Sequence, residues 1–150
     1  MMIILTSLGL VTFLNGTYIA TTVVGILVAV LGAFLFFNIN PAKVFMGDSG
    51  AFALGGILSA LIYLLNMRFG IVIPFIIIFG IFILELCSSG LQIFWKKVFK
   101  KKLFAMAPFH HLLEHRGIKE TTIVMKMWLI QGVLAVAAII LILVEYVLMK

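Results

Sequence analysis

Apolar residues in this chain come in long blocks separated by short polar interruptions, at 1–14, 17–37, 49–65, 71–95 and 127–149. An apolar run of about 20 residues is what a helix needs to cross the hydrocarbon core of a bilayer. The pattern therefore predicts an all-α polytopic membrane protein of about five transmembrane helices, forming a single membrane domain over residues 1–150. The first block is short: as a helix it would rise about 21 Å against roughly 30 Å of hydrocarbon, so it reads as the tail of a longer helix. Met1 leads straight into Met2-Ile3-Ile4-Leu5 without a basic n-region or a small-residue cleavage site. No signal peptide is expected, and the start reads as internal.

Composition removes the other classes. With 65% hydrophobic and 11% charged residues and a mean hydropathy of +1.32, the chain is far from a soluble domain, about a quarter of which is charged. The same figures exclude disordered, fibrous and disulfide-rich secreted proteins. The single Cys87 has no partner for an internal disulfide.

A formal charge of +6 would suggest nucleic acid in a soluble protein, but in a membrane protein the placement of the charge decides. Five crossings sort the connections into two sets: 38–48 with 96–126, and 15–16 with 66–70 and the C-terminus. The first set carries Lys43, Lys96, Lys97, Lys100, Lys101, Lys102, Arg116, Lys119 and Lys126, nine of the 11 basic residues, against Arg68 and Lys150 in the second. By the positive-inside rule the first set is cytoplasmic, and no nucleic-acid partner is expected. The run 96–102 reads as a stop-transfer anchor touching anionic membrane lipid.

Nearly all the residues with chemistry fall on that face. The first cluster is Asn38-Ile39-Asn40-Pro41-Ala42-Lys43-Val44-Phe45-Met46-Gly47-Asp48-Ser49-Gly50. Pro41 keeps Asn40 out of helical geometry, and Gly47 and Gly50 flank a lone carboxylate just before an apolar helix, which predicts a structured re-entry loop. Asp48 or Ser49 stands where an N-cap belongs. Alternatively, a carboxylate at a helix N-terminus beside glycines suits a magnesium ion carrying phosphates. Ala51, Gly55 and Ser59 recur every four residues and read as a close helix-packing face.

Glu85 lies ten residues from Trp95 and fourteen from Ile71, roughly 15 and 21 Å along a helix, well inside the bilayer. An ionisable group there is a candidate for function. Ser88 and Gln92 share its face, so the competing expectation is a hydrogen-bonded seam between helices. The last cluster is Met106-Ala107-Pro108-Phe109-His110-His111-Leu112-Leu113-Glu114-His115-Arg116-Gly117. If Pro108 starts a short helix, His110 and Glu114 share a face, as do His111 and His115. Zinc would find two histidine ligands and no third nearby, and a phosphate or diphosphate contact suits the neighbourhood better.

These residues carry a resemblance. Asn38 with Pro41-Ala42-Lys43-Val44-Phe45-Met46-Gly47-Asp48-Ser49-Gly50, then Glu85-Leu86-Cys87-Ser88-Ser89-Gly90-Leu91-Gln92, then Met106-Ala107-Pro108-Phe109-His110-His111 with Glu114, resemble three successive motifs of the phospho-N-acetylmuramoyl-pentapeptide transferase family, within the polyprenyl-phosphate sugar-phosphate transferases. The similarity runs from about Phe34 to the C-terminus. It implies transfer of phospho-MurNAc-pentapeptide from UDP to undecaprenyl phosphate, giving lipid I and UMP for peptidoglycan, with Mg2+ as cofactor, at the cytoplasmic face of a bacterial inner membrane.

By the same resemblance Asp48 is the metal ligand and a catalytic residue with His110 and His111, which lie near the diphosphate. Phe45 stacks on the uracil, Gly47 lies beside the nucleoside, and Asn38 and Gln92 complete the substrate-binding set. Departures accompany the matches: Leu112 stands where the family has a third histidine, and Ala51 where a serine is common. The family's upstream aspartate pair has no counterpart here, since no acidic residue precedes Asn38. The expectation is the C-terminal portion of a longer enzyme, inactive alone and completed by an N-terminal half or a homodimer. The alternatives are a relative that transfers another UDP-amino-sugar phosphate, or a non-enzymatic ion-coupled membrane protein whose path is lined by Glu85, Asp48 and the histidines.

Overall fold

The computed structural model describes the backbone of residues 1–69 and 72–148, and the side chains of these except 66–69, 146 and 148. Expectations at the Arg68 side chain, Ile71, Met149 and Lys150 fall outside the described residues. Within them the chain is all-helical, in the order α1 (Met2–Leu14), α2 (Tyr18–Asn38), α3 (Asp48–Phe69), α4 (Val72–Ile78), α5 (Gly80–Phe99), α6 (Phe109–His115) and α7 (Glu120–Leu148).

Each apolar block forms helix, but not each forms one spanning helix. Among the described residues, Tyr18–Asn38, Asp48–Leu65 and Glu120–Glu145 are each long and apolar enough to cross a membrane. The block at 71–95 is broken at Phe79 into α4 and α5, which pass that test only as a pair. The expected fourth span is thus a broken one, with Gly80 opening its second half and Pro74 inside its first. The opening block forms a 13-residue helix, α1, which is shorter than a span.

The chain divides into two compact units, Met1–Ile78 with Ala135–Lys150, and Phe79–Leu134. In the first unit, α1 and α2 form an antiparallel pair. α1 ends in a Schellman turn: Gly16 takes φ +68°, its N–H donates to the Phe13 carbonyl, and the Thr17 N–H donates to the Thr12 carbonyl. Across the pair Gly9 lies so close to Val24 that an added Cβ would come within 3.1 Å of a valine methyl. Ile4, Leu5, Leu8, Val11 and Thr12 are fully buried there, and the Thr21 hydroxyl donates to Thr12 Oγ1 at 2.9 Å.

Away from that contact α2 is apolar on all sides. In α2 only Val24 and Leu31 are buried, while Ile19, Val23, Ile26, Val30 and Phe36 are exposed. A helix that is hydrophobic all round requires an apolar solvent, and lipid supplies it. In α3, on the predicted packing face of Ala51, Gly55 and Ser59, nothing among the described residues lies within 4 Å of where a Cβ on Gly55 would stand, and the Ser59 hydroxyl turns back to the Gly55 carbonyl of its own helix.

Candidate functional site

The two clusters of chemistry belong to different compact units, and each is built locally. In the first unit α2 runs through Asn38, and the chain then turns through Asn40 and Pro41 into the loop before α3. Two hydrogen bonds tie that loop to the end of α2: the Lys43 N–H donates to the Phe37 carbonyl at 2.8 Å, and the Asn38 amide Nδ2 donates to the Val44 carbonyl at 2.9 Å. Asn38 therefore holds the loop with its nitrogen and keeps Oδ1 as its remaining polar atom.

The expected cap is displaced by one residue. Asp48 is the first helical residue of α3, with the Ala51 N–H donating to the Gly47 carbonyl behind it, so Gly47 occupies the cap position. The Asp48 carboxylate is exposed and makes no hydrogen bond or ion pair among the described residues. It sits at the positive end of the helix dipole, which favours an anion there. Beside it Phe45 is 80% exposed, and nothing lies within 4 Å of where a Cβ on Gly47 would stand. Met46 instead packs over Gly50, where an added Cβ would meet its Cγ at 2.8 Å. The loop thus presents a bare aromatic ring, an open glycine and an unengaged carboxylate in four consecutive positions.

In the second unit α5 ends at Lys100, whose backbone takes the left-handed conformation at φ 52°. The chain reverses there and folds back along α5, which carries Glu85, Ser88 and Gln92 on one stripe at helical spacing. Gln92 Oε1 accepts the N–H groups of Leu103 and Phe104 at 3.1 and 2.8 Å, and its Nε2 donates to the Phe104 carbonyl at 3.1 Å. One turn back, Ser88 Oγ accepts the Phe109 N–H at 3.1 Å while donating to the Glu85 carbonyl. A further turn back, Glu85 Oε1 accepts the His110 N–H at 3.2 Å and its Oε2 lies 2.9 Å from His110 Nδ1.

The predicted seam is real, but its partner is not another membrane helix: it clasps the histidine loop. That loop lies beside some 10 Å of α5, so the segment 96–126 is tied back to the helix over residues 103–110. The pairing within α6 also differs from expectation. Pro108 occupies the cap position of α6, and His111 Nδ1 meets Glu114 Oε2 at 2.7 Å one turn on, at i, i+3. His110 turns away from Glu114 towards Glu85, because the carboxylate that grips its backbone also reaches its ring.

The rings of His110 and His111 lie 4.2 Å apart between centroids. Both imidazoles are engaged at Nδ1, and both are partly exposed, at 38% and 46% of their side chains. Their Nε2 atoms are the polar positions left for a ligand. Gln92, expected to contact substrate, has both ends of its amide engaged by the loop backbone. No group of three or more potential metal ligands occurs among the described residues.

The chain matches the family model described as glycosyl transferase family 4 over residues 1–66, so likeness to known proteins begins before Phe34. It is 43% identical over 126 residues to the phospho-N-acetylmuramoyl-pentapeptide-transferase of Buchnera aphidicola subsp. Acyrthosiphon pisum, covering 84% of this chain and 34% of that protein. It is 46% identical over 101 residues to the proteins of the same name from Neisseria meningitidis and Neisseria gonorrhoeae, covering 67% of this chain and 27% of each. The chain therefore spans about a third of the length of the curated relatives it matches. The resemblance carried by the three motifs is borne out across most of the sequence: the chain is a relative of the phospho-N-acetylmuramoyl-pentapeptide transferases, within glycosyl transferase family 4.

Proposed function

We propose that this chain forms part of a membrane-embedded enzyme that moves phospho-MurNAc-pentapeptide from its UDP carrier to undecaprenyl phosphate, releasing UMP. The observation that carries the reading is the loop before α3, where the exposed Phe45 ring, the open Gly47 and the unengaged Asp48 carboxylate stand together in a chain 43–46% identical to transferases of that name.

The residues divide the work by chemistry. Phe45 offers an aromatic face on which the uracil of the donor stacks, and the bare backbone at Gly47 lets the nucleoside approach. Asn38 stiffens this loop through its bond to Val44 and retains an oxygen that can accept from the base or ribose. His110 and His111 present Nε2 atoms that contact diphosphate oxygens as donors when protonated.

A single carboxylate is a poor cage for a resident metal but fits magnesium, which takes one or two carboxylates and completes its octahedron with water and substrate phosphate. Asp48 is the residue that would hold it. When bound, Mg2+ supplies positive charge against the phosphate oxygens, which is the main aid this class of reaction needs beyond positioning. The lipid phosphate would arrive from the bilayer and the nucleotide from the cytoplasm of a bacterial cell.

The test is UMP release from UDP-MurNAc-pentapeptide by membranes in which this chain is joined to the upstream segment of a relative. Asp48→Asn removes the charge while keeping the shape, and magnesium-dependent turnover is expected to fall about 10²-fold or more, as when a main electrostatic stabiliser is deleted. Near-wild-type turnover at unchanged magnesium would overturn the assignment. Release of UMP from UDP-GlcNAc instead would move the function to a related amino-sugar-phosphate transferase.

A further inference from the structure

We propose that Glu85 is a positioning residue that locks His110 in its Nδ1–H tautomer and aims the Nε2 lone pair outward. The proposal deepens the transferase reading by naming what prepares one of its two histidines. Its physical core, however, is a property of the chain without substrate.

The geometry is a two-point grip on one residue. Glu85 Oε1 accepts the His110 backbone N–H at 3.2 Å, and Oε2 stands 2.9 Å from His110 Nδ1. An ionised carboxylate has acceptors and no donors, so the ring nitrogen facing it must carry the hydrogen. In a neutral imidazole that leaves Nε2 bare, with a lone pair for a proton from a hydroxyl or from a protonated phosphate oxygen. In the protonated ring Nε2 becomes a donor to an anionic phosphate, and the carboxylate behind it offsets the charge.

Ser88 adds a separate backbone tie beside this grip. Its hydroxyl is anchored on the Glu85 carbonyl and accepts the N–H of Phe109, the residue just before His110. The clasp bridges 25 positions of sequence, from α5 to the start of α6. His111 has nothing comparable. Its carboxylate partner, Glu114, rides on the same short helix and fixes that ring only relative to α6. The side chain of Glu85 is 21% exposed against 35% for Glu114, so water competes less at the His110 pair, and a charge-assisted hydrogen bond shielded from water is the stronger one.

The replacement Glu85→Gln separates positioning from mere packing. Glutamine has one acceptor oxygen where glutamate has two. If its carbonyl keeps the His110 N–H, its NH2 group faces Nδ1 and can only donate, which forces the ring proton to Nε2. The opposite orientation would set the amide NH2 against the backbone N–H, donor against donor. Glu85→Gln is therefore expected to switch the tautomer rather than only loosen the loop.

The full chain, labelled with 15N at histidine and held in lipid nanodiscs, is examined by NMR well above the ordinary histidine titration range near 6.5. The sequence has 3 histidines, so His111→Asn and His115→Asn complete the assignment. The expected result is a predominantly Nδ1–H ring for His110 in the wild type, a predominantly Nε2–H ring in Glu85→Gln, and an unchanged Nδ1–H ring in Ser88→Ala. A wild-type His110 protonated mainly at Nε2 overturns the proposal, as does one tautomer common to wild type and Glu85→Gln. If Glu85→Gln does not fold, the wild-type spectrum decides alone. UMP with magnesium is then added as a probe to the chain joined to the upstream segment of a relative. A locked Nδ1–H tautomer whose Nε2 resonance ignores UMP would remove His110 from the transferase site and leave the Glu85 grip standing.

Discussion

Phe45 is the residue whose behaviour tests the proposed nucleotide site most directly, because it is 80% exposed and packs little of its ring in this chain. Its truncation should cost little stability and much affinity. Aromatic stacking on a base is worth about 1–3 kcal/mol, so Phe45→Ala is expected to raise the KM for the UDP donor roughly tenfold or more while leaving the KM for lipid phosphate near its wild-type value. Equal losses for both substrates would reduce Phe45 to a structural role. Gly16 makes the opposite case. It has no ligand chemistry, but its φ of +68° closes the turn between α1 and α2. A side chain with Cβ pays about 1–2 kcal/mol in that conformation. Gly16→Val is therefore expected to lower the thermal midpoint in detergent by several degrees without changing the ligand response of the 38–48 loop, and an unchanged midpoint would show that the turn tolerates another geometry.

At the scale of elements, the clasp of α5 on the histidine loop is the feature that binds local structure to function. Gln92 makes three hydrogen bonds to the backbone of Leu103 and Phe104, and Gln92→Leu leaves two N–H groups and a carbonyl to find water. Unsatisfied groups of this kind cost about 1–3 kcal/mol, so the amides of Leu103 and Phe104 should exchange with solvent roughly ten- to hundredfold faster. Unchanged exchange would mean that the loop is held elsewhere. The hydrophobic runs marked where helices occur, with uneven ends: 17–37 became Tyr18–Asn38 and the block at 49–65 opened at Asp48, whereas the last block, expected at 127, opened at Glu120. The break at Phe79 was not readable, because an apolar run looks the same whether its axis is straight or interrupted, and Gly80 is tolerated inside a spanning helix. Glu85, Ser88 and Gln92 were visible as one polar stripe. Their partner was hidden, since nothing local in 85–92 points to residues 103–110, and spacing alone offered Glu114 to His110 as readily as to His111.

The whole molecule turns on the membrane sidedness of its two polar regions, and the broken pair of α4 and α5 decides it. Between the loop 38–48 and the segment 96–126 lie α3, which is long and apolar enough to cross alone, and α4 with α5, which are so only together. If the pair completes one crossing, two crossings separate the regions and both face the same side. If it enters and returns, they face opposite sides. Charge favours the first arrangement, because it gathers Lys43 with the eight basic residues of 96–126, as the positive-inside rule requires. In a Cys87→Ser background, cysteines placed at Lys43 and at Lys119, both exposed, should react with a membrane-impermeant maleimide from the cytoplasmic side of inverted vesicles and stay unlabelled in intact cells. Labelling of the two from opposite faces would make α4 and α5 a re-entrant pair and would overturn the cytoplasmic placement of one of the two regions.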